Sequence, residues 1–184
     1  MAETEMKQKV VKGLLWKLLE NGGAQGVQFV IAIILARLLT PAQYGVVGII
    51  TIFITIANVV VQSGFSTALV QKQKADKVDF SSVCYFDLFV ALVMYGILYA
   101  AAPVIASFYG IAELEAIVRV LSIVLFPGAV ISVQTAYVSR NLEFKGLFLS
   151  TLAASAASGV ISIWMAANGF GVWAMVGQQV SYYF

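Results

Sequence analysis

The stretch Tyr44–Val70 reads YGVVGIITIFITIANVVVQSGFSTALV and contains no acidic or basic residue. A transmembrane α-helix needs about 20 mainly apolar residues to cross a hydrocarbon layer of about 30 Å. This run is long enough to do so, and other apolar runs lie on both sides of it. They are Leu14–Leu38, Val83–Phe108, Val118–Val138, Leu147–Ala167 and the shorter Gly171–Phe184. The sequence therefore predicts an all-α fold, a polytopic bundle of transmembrane helices.

Composition supports a membrane protein and argues against an enzyme. Hydrophobic residues make up 61% of the chain and charged residues only 11%, and the mean hydropathy is +0.92. Soluble domains carry about 25% charged residues. The chain has no His, which excludes imidazole metal ligation and His-based acid–base chemistry. Cys84 is the only cysteine and no Gly-rich phosphate loop is present, so we predict no catalytic residue, metal site or cofactor.

The basic residues lie on alternate sides of the apolar runs, which indicates the orientation. Lys and Arg are enriched in cytoplasmic loops, so the N-terminus and the basic connections are predicted to be cytoplasmic. The 72–79 connection also contains Asp76 and Asp79, and we interpret its lysines as an orientation signal and not as a nucleic-acid site. The residues on the basic side are Lys7, Lys9, Lys12, Lys17, Lys72, Lys74, Lys77, Arg140 and Lys145, and those on the opposite side are Arg37 and Arg119.

Polar side chains recur at helical spacing inside three of the runs. The stripes are Lys17, Asn21, Gln25 and Gln28 in the first run, Thr51, Thr55, Asn58 and Gln62 in the second, and Thr151, Ser155, Ser158 and Ser162 in the fifth. The hydroxyl stripe of the fifth run and the Gly22/Gly26 pair favour helix packing. The large amides allow two interpretations, packing or the lining of a solvated cavity, because each amide needs several hydrogen-bond partners.

Two carboxylates and two arginines inside or next to the runs are candidates for function. Glu20 and Asp87 are candidate ion-coupling residues, because charged groups at the bilayer centre cost roughly 2.5–3.5 kcal/mol and usually serve a pathway. The alternative is that Lys17 pairs with Glu20 and that Asp87 lies only one turn into its helix. Arg37 and Arg119 are placed to attract an anionic substrate group, or to snorkel at the outer interface.

A proline-glycine pair lies in the middle of the fourth run. Pro127 removes one helical hydrogen bond and Gly128 adds slack, so a kink is expected there. Such a kink is compatible with a static bend or with a helix that bends during transport.

The junction after the first run, residues 36–45, reads ARLLTPAQYG. It resembles the first outer loop of bacterial polysaccharide flippases of the multidrug/oligosaccharidyl-lipid/polysaccharide exporter superfamily. Thr40 is placed to cap the next helix and Pro41 to begin it. The stretches GFSTALVQK (64–72), RNLEFK (140–145) and GFGVWA (169–174) match the same group. The combination is most similar to the O-antigen and colanic-acid exporter branch.

The resemblance implies two bundles of six helices, with roughly 12–14 helices in all. This chain would be the N-terminal six-helix lobe, and a C-terminal lobe would be missing. Its last helix would be truncated, because Gly171–Phe184 spans only about 21 Å. The implied function is to move undecaprenyl-pyrophosphate-linked oligosaccharide across the bacterial inner membrane, coupled to a proton or sodium gradient.

The resemblance also implies partners and a site. The partners are the lipid-linked oligosaccharide, membrane lipids and the coupling ion, and no nucleic acid. Family members carry cations in the central cavity, and this chain offers few deep ones, so Arg37, Arg119, Lys17 or the missing half would contact the pyrophosphate. Sugar hydroxyls would be bound by the amides Asn21, Gln25, Gln28, Asn58 and Gln62.

Two other functions compete with this one. The first is a small-molecule antiporter of the related multidrug branch, which the 36–45 string argues against. The second is a non-transporting membrane scaffold, because half a bundle does not close a cavity by itself.

Overall fold

The computed structural model describes Leu18 and residues 22–62, 77–141 and 144–184. Every regular element in these ranges is an α-helix, which confirms the predicted all-α bundle. In chain order the helices are α1 (Gly22–Leu38), α2 (Pro41–Val61), α3 (Lys77–Tyr109), α4 (Glu113–Ser122), α5 (Leu125–Asn141), α6 (Phe144–Ala167) and α7 (Val172–Tyr183).

The helices are long and apolar enough to cross a bilayer several times. Four segments meet the length and hydropathy of a membrane span: Pro41–Val61, Asp79–Tyr109, Glu113–Ser139 and Lys145–Ala167. Only 22% of the Asp79–Tyr109 window is buried inside the protein. Large apolar side chains such as Phe89 and Phe108 therefore point outward. A surface of this kind is stable only against lipid, so the chain is a multi-pass membrane protein.

Successive spans run in opposite directions. Phe80 and Tyr95 of α3 contact Tyr137 and Phe126 of α5, with ring centroids 5.5 Å apart in both pairs, so α3 and α5 are antiparallel. We call the side where α1, α3 and α6 end the Thr40 face. The opposite side, where α2 and α5 end, is called the Lys145 face.

The start of α2 follows the predicted cap. The Thr40 hydroxyl accepts the Gln43 backbone N–H at 3.4 Å, and the Gln43 side-chain oxygen accepts the Thr40 N–H at 2.8 Å. Pro41 occupies the first turn, where its missing N–H costs nothing. The Gln43 amide nitrogen also lies 2.6 Å from where a Cβ on Gly171 would sit, and Gly171 has φ +57°. Glycine is thus required at position 171. The same contact shows that residues 36–45 pack on residues 169–174.

The predicted kink at Pro127 is confirmed as a break between α4 and α5. Pro127 has no N–H for the Ile123 carbonyl, and the turn at residues 123–124 is held by short i→i−3 bonds, such as Val124 N–H to Leu121 O at 3.0 Å. Regular bonding resumes at Gly128, whose N–H donates to the Val124 carbonyl at 3.0 Å. The break brings the backbone of Gly128 against α2.

Small residues of α6 allow neighbouring helices to pack closely on it. The Gly22/Gly26 pair of α1 contacts no described residue in this way. Ser155, Ser158 and Ser162 are fully buried, in agreement with the packing interpretation. A Cβ on Gly159 would lie 2.7 Å from Ile31 Cγ1, so α1 packs directly on this glycine. By contrast, nothing lies within 4 Å of a Cβ on Gly22 or Gly26 among the described residues. Packing of this pair therefore stays a prediction, with no partner among the described residues.

Candidate functional site

A polar cleft of about 300 Å³ lies between α1, α2, α7 and the α4–α5 break. We call it the amide cleft. Eight of its ten lining residues carry an amide, hydroxyl or phenol group, and none of the ten is charged. They are Gln28, Thr51, Ile54, Thr55, Asn58, Val124, Gln178, Gln179, Tyr182 and Tyr183.

Gln28 is the centre of a hydrogen-bond network on one wall of the amide cleft. Its Oε1 accepts a bond from Gln178 Nε2 at 2.9 Å, and its Nε2 donates to Ser155 Oγ at 3.1 Å. One side chain of α1 is thereby joined to both α7 and α6. Partly buried amides are costly without partners, and these bonds fix the positions of three polar groups.

The part of the amide cleft formed by Gln28 and Thr51 lies near the middle of the bundle along the membrane normal. Gln28 precedes the end of α1 by ten residues, and Thr51 follows the start of α2 by ten residues. At 1.5 Å per residue, both side chains are about 15 Å from the Thr40 face. This is half the thickness of a hydrocarbon layer of about 30 Å.

Asn58 connects the cleft to the helix break. Its Oδ1 is buried and has no hydrogen-bond partner among the described residues. The same oxygen lies 3.1 Å from where a Cβ on Gly128 would sit. Any side chain at position 128 would push Asn58 away, so Gly128 and the Pro127 break together set the position of this amide.

A larger cavity of about 900 Å³ adjoins the amide cleft and shares Tyr182 and Tyr183 with it. It lies between α5 and α6 and reaches toward the Lys145 face. Gln62 contributes from the end of α2, so we call it the Gln62 cavity. Its other polar lining residues are Ser132, Gln134, Thr135, Ser139, Ser150 and Thr151.

The five predicted amides lie in different surroundings. Gln28 and Asn58 line the amide cleft and Gln62 lines the Gln62 cavity. Gln25 is exposed on α1 and belongs to neither cavity. Asn21 lies outside the described residues, as does the carboxylate candidate Glu20. The structure thus brings Gln28 and Asn58 together in one site.

The two predicted arginines lie toward the Thr40 face. Arg37 is exposed, one turn or less from the end of α1. Arg119 makes an ion pair with Glu115 at 2.8 Å and stacks over the Tyr99 ring, 4.4 Å from its centroid. Its Nε is buried and has no hydrogen-bond partner in the described part of the chain. Arg119 therefore already has a counter-charge, whereas Arg37 lies at the surface.

Asp87 is deeper than the sequence suggested. The helix begins at Lys77, so Asp87 lies about 15 Å along it and not one turn in. The side chain is 1% exposed, and neither carboxylate oxygen has a hydrogen-bond partner within the described ranges. It shares a buried helix face with Ala91 and Leu98, and it lines neither cavity. This burial argues against a hydrated side chain.

Four polar residues of the cleft were not predicted: Gln178, Gln179, Tyr182 and Tyr183. For the apolar run that contains them, the sequence predicts only an incomplete span. Gln178 and Tyr182 are spaced i, i+4, and so are Gln179 and Tyr183. This spacing is the signal that places all four on neighbouring rows of one helix.

An apolar multi-helix bundle with an uncharged polar cleft at its mid-depth is typical of a membrane transporter. The chain belongs to the polysaccharide biosynthesis protein family, whose sequence profile matches residues 34–184. This confirms the resemblance to polysaccharide exporters.

Individual relatives agree with the family assignment. The chain is 26% identical over 178 residues to a succinoglycan biosynthesis transport protein of Rhizobium meliloti, covering 97% of this chain and 36% of the relative. It is 30% identical over 141 residues to a teichuronic acid biosynthesis protein of Bacillus subtilis, covering 76% of this chain and 29% of the relative. An uncharacterized membrane protein in the cps region of Klebsiella pneumoniae is 22% identical over 139 residues. The chain thus spans about a third of the length of these relatives, and no solved structure matches it.

Proposed function

We propose that this chain is the N-terminal lobe of a flippase that moves an undecaprenyl-pyrophosphate-linked oligosaccharide across the bacterial inner membrane. The observation that carries the proposal is the amide cleft, a group of polar side chains that extends from mid-depth, at Gln28 and Thr51, to Asn58, about 25 Å from the Thr40 face along α2. Polar groups at this depth are costly to maintain and usually serve a transport pathway. The name of the relative in Rhizobium meliloti supports a role in polysaccharide transport, and that of the relative in Bacillus subtilis supports a role in polysaccharide biosynthesis.

The proposed mechanism begins with sugar hydroxyls replacing water in the amide cleft. A hydroxyl both donates and accepts hydrogen bonds, and so does an amide, so Asn58 and Gln179 suit this exchange. Asn58 Oδ1 is a buried acceptor without a partner among the described residues. Gln62 would extend the polar surface toward the Lys145 face, and Gln25 would extend it along α1; Asn21, outside the described residues, remains a proposed sugar contact. Arg37 is the proposed pyrophosphate contact at the Thr40 face; Arg119 would first have to release Glu115.

Alternation of access would rock this lobe against a second one around the mid-depth site. The α4–α5 break is the proposed point of bending, because it lacks one helical hydrogen bond and touches Asn58 through Gly128. Asp87 is the proposed ion-coupling residue, together with Glu20. Asp87 lines neither cavity. A proton or sodium ion at Asp87 would therefore act by changing how α3 packs.

The test is complementation of a flippase-deficient bacterium by the longest reading frame that contains this chain. The wild-type protein is expected to restore polysaccharide export. Asn58→Leu should lower export by about tenfold or more, because it removes an amide from the cleft. Val59→Leu is the matched control, since Val59 is the next residue and is 65% exposed outside the cleft; it should export normally.

Other results would favour the competing functions. Restored drug efflux without polysaccharide export would indicate an antiporter. Membrane expression with neither activity would indicate a scaffold, and normal export by Asn58→Leu would contradict a role for the amide cleft.

A further inference from the structure

We infer that the amide cleft binds an uncharged, hydroxyl-rich sugar of the lipid-linked glycan, and that the pyrophosphate is held outside it. The inference rests on the proposed function and specifies what that site recognises. It follows from three observations: the chemistry of the lining, its size, and the positions of the described cations.

The lining offers neutral donors and acceptors from opposite sides. Asn58 and Thr55 lie on α2 and Gln179 lies on α7, and the cleft joins them. A sugar ring carries hydroxyls around its edge, so it needs groups that both donate and accept from several directions. Tyr182 and Tyr183 add aromatic rings, against which the C–H face of a sugar can pack.

The size of the cleft suits sugar rings better than a lipid chain. Its volume of about 300 Å³ lies at the lower end of the range for small-molecule pockets, about 300–1,000 Å³. Two apolar side chains, Ile54 and Val124, lie among the eight polar ones. One or two rings would be enclosed, and an undecaprenyl chain would stay in the bilayer.

The described residues that line this cleft include no cation. A pyrophosphate at mid-depth without a cation would be strongly disfavoured, because an unpaired charge is costly in a medium of low dielectric constant. Of the cations whose side chains are described, Arg37 and Lys145 lie near the two faces, and Arg119, five residues before the cleft residue Val124, is paired with Glu115. Arg37 is nine residues from Gln28, about 13 Å along α1. A pyrophosphate contacting Arg37 therefore lies outside the amide cleft.

Opposite charges placed at one position of the cleft test this inference. Thr55 lines the cleft and is exposed within it, so it accepts a longer side chain. In the full reading frame, Thr55→Glu and Thr55→Lys should both lower export by about tenfold or more, because a neutral sugar gains nothing from either charge. Thr55→Gln and Thr55→Met match their sizes and should lower export less. Export by Thr55→Lys about tenfold above Thr55→Glu would show an anion in the cleft and overturn the inference.

A binding measurement decides the question if the bulky variants do not reach the membrane. Thr55→Cys in a Cys84→Ser background is alkylated with N-ethylmaleimide in the purified full-length protein. The glycan-bearing lipid that accumulates in the flippase-deficient strain should slow alkylation by about fivefold or more, and bare undecaprenyl pyrophosphate should not. Equal slowing by the bare lipid, or slowing by neither, would overturn the inference. Ser107→Cys near the Thr40 face is the control that neither lipid should affect.

Failure of the proposed function has a different signature. If the wild-type protein does not restore export, the flippase proposal fails and the sugar inference falls with it. If the wild-type protein restores export but the charge or alkylation tests give the opposite result, only the sugar inference fails.

Discussion

At the scale of single residues, Gln28 is the side chain whose removal disturbs most contacts in the cleft. Gln28→Leu would break the bonds to Gln178 and Ser155 at once. Hydrogen bonds between transmembrane helices are modest, so we expect a loss of about 1–2 kcal/mol of stability. The measurement is thermal unfolding of the purified protein in detergent. Gln25→Leu is the control, because Gln25 is exposed on the same helix; an equal loss in both variants would contradict the importance of the network.

Asp87 is expected to show opposite effects on stability and activity. A fully buried carboxylate without a hydrogen-bond partner destabilises the bundle, so Asp87→Leu should raise its stability by about 1–3 kcal/mol. If the residue couples transport to an ion, the same variant and Asp87→Asn should both lose export in the full reading frame. Thermal unfolding and complementation measure the two effects. Destabilisation by Asp87→Leu would show that the carboxylate has a stabilising partner, and unchanged export would exclude coupling.

At the scale of helices, the sequence predicted the apolar spans, the Thr40 cap and the Pro127 break. Each follows from local chemistry: a run of apolar residues, a hydroxyl before a proline, a missing N–H. The partners of each helix did not follow, because periodicity shows which face is polar but not what the face contacts. Gly22 and Gly26 match a packing motif yet touch nothing described, whereas the single Gly159 receives Ile31. Likewise, the role of Gln178 as a hydrogen-bond donor to Gln28 follows only from the structure, which places α7 beside α1.

The contact between α1 and α6 should therefore depend on Gly159. Gly159→Ala would place a Cβ 2.7 Å from Ile31 Cγ1, so the helices must separate or Ile31 must move. Such overpacking typically costs about 1–3 kcal/mol. Gly26→Ala is the matched control and should cost nothing, or should stabilise by up to about 1 kcal/mol through helix propensity. Thermal unfolding tests both, and the cost of Gly159→Ala should fall in an Ile31→Ala background; a cost unchanged by that replacement would show that another contact is responsible.

At the scale of the whole molecule, the two faces determine from which side the cavities are reached. The Gln62 cavity extends from mid-depth toward the Lys145 face, and the amide cleft adjoins it through Tyr182 and Tyr183. If the Lys145 face is cytoplasmic, a glycan assembled in the cytoplasm would reach the Gln62 cavity before the amide cleft. The direction of transport proposed for this lobe therefore depends on its orientation.

Cysteine labelling measures that orientation. Ala112 is exposed in the α3–α4 connection at the Thr40 face, and Gly146 is exposed near the start of α6 at the Lys145 face. Because the basic connections are predicted to be cytoplasmic, a membrane-impermeant maleimide should label Ala112→Cys in intact spheroplasts, in a Cys84→Ser background. Gly146→Cys should be labelled only after lysis, and its side chain has open space, with nothing described within 4 Å of its Cβ. The reverse pattern would place the Gln62 cavity on the periplasmic side. A glycan that comes from the cytoplasm would then reach the amide cleft before the Gln62 cavity.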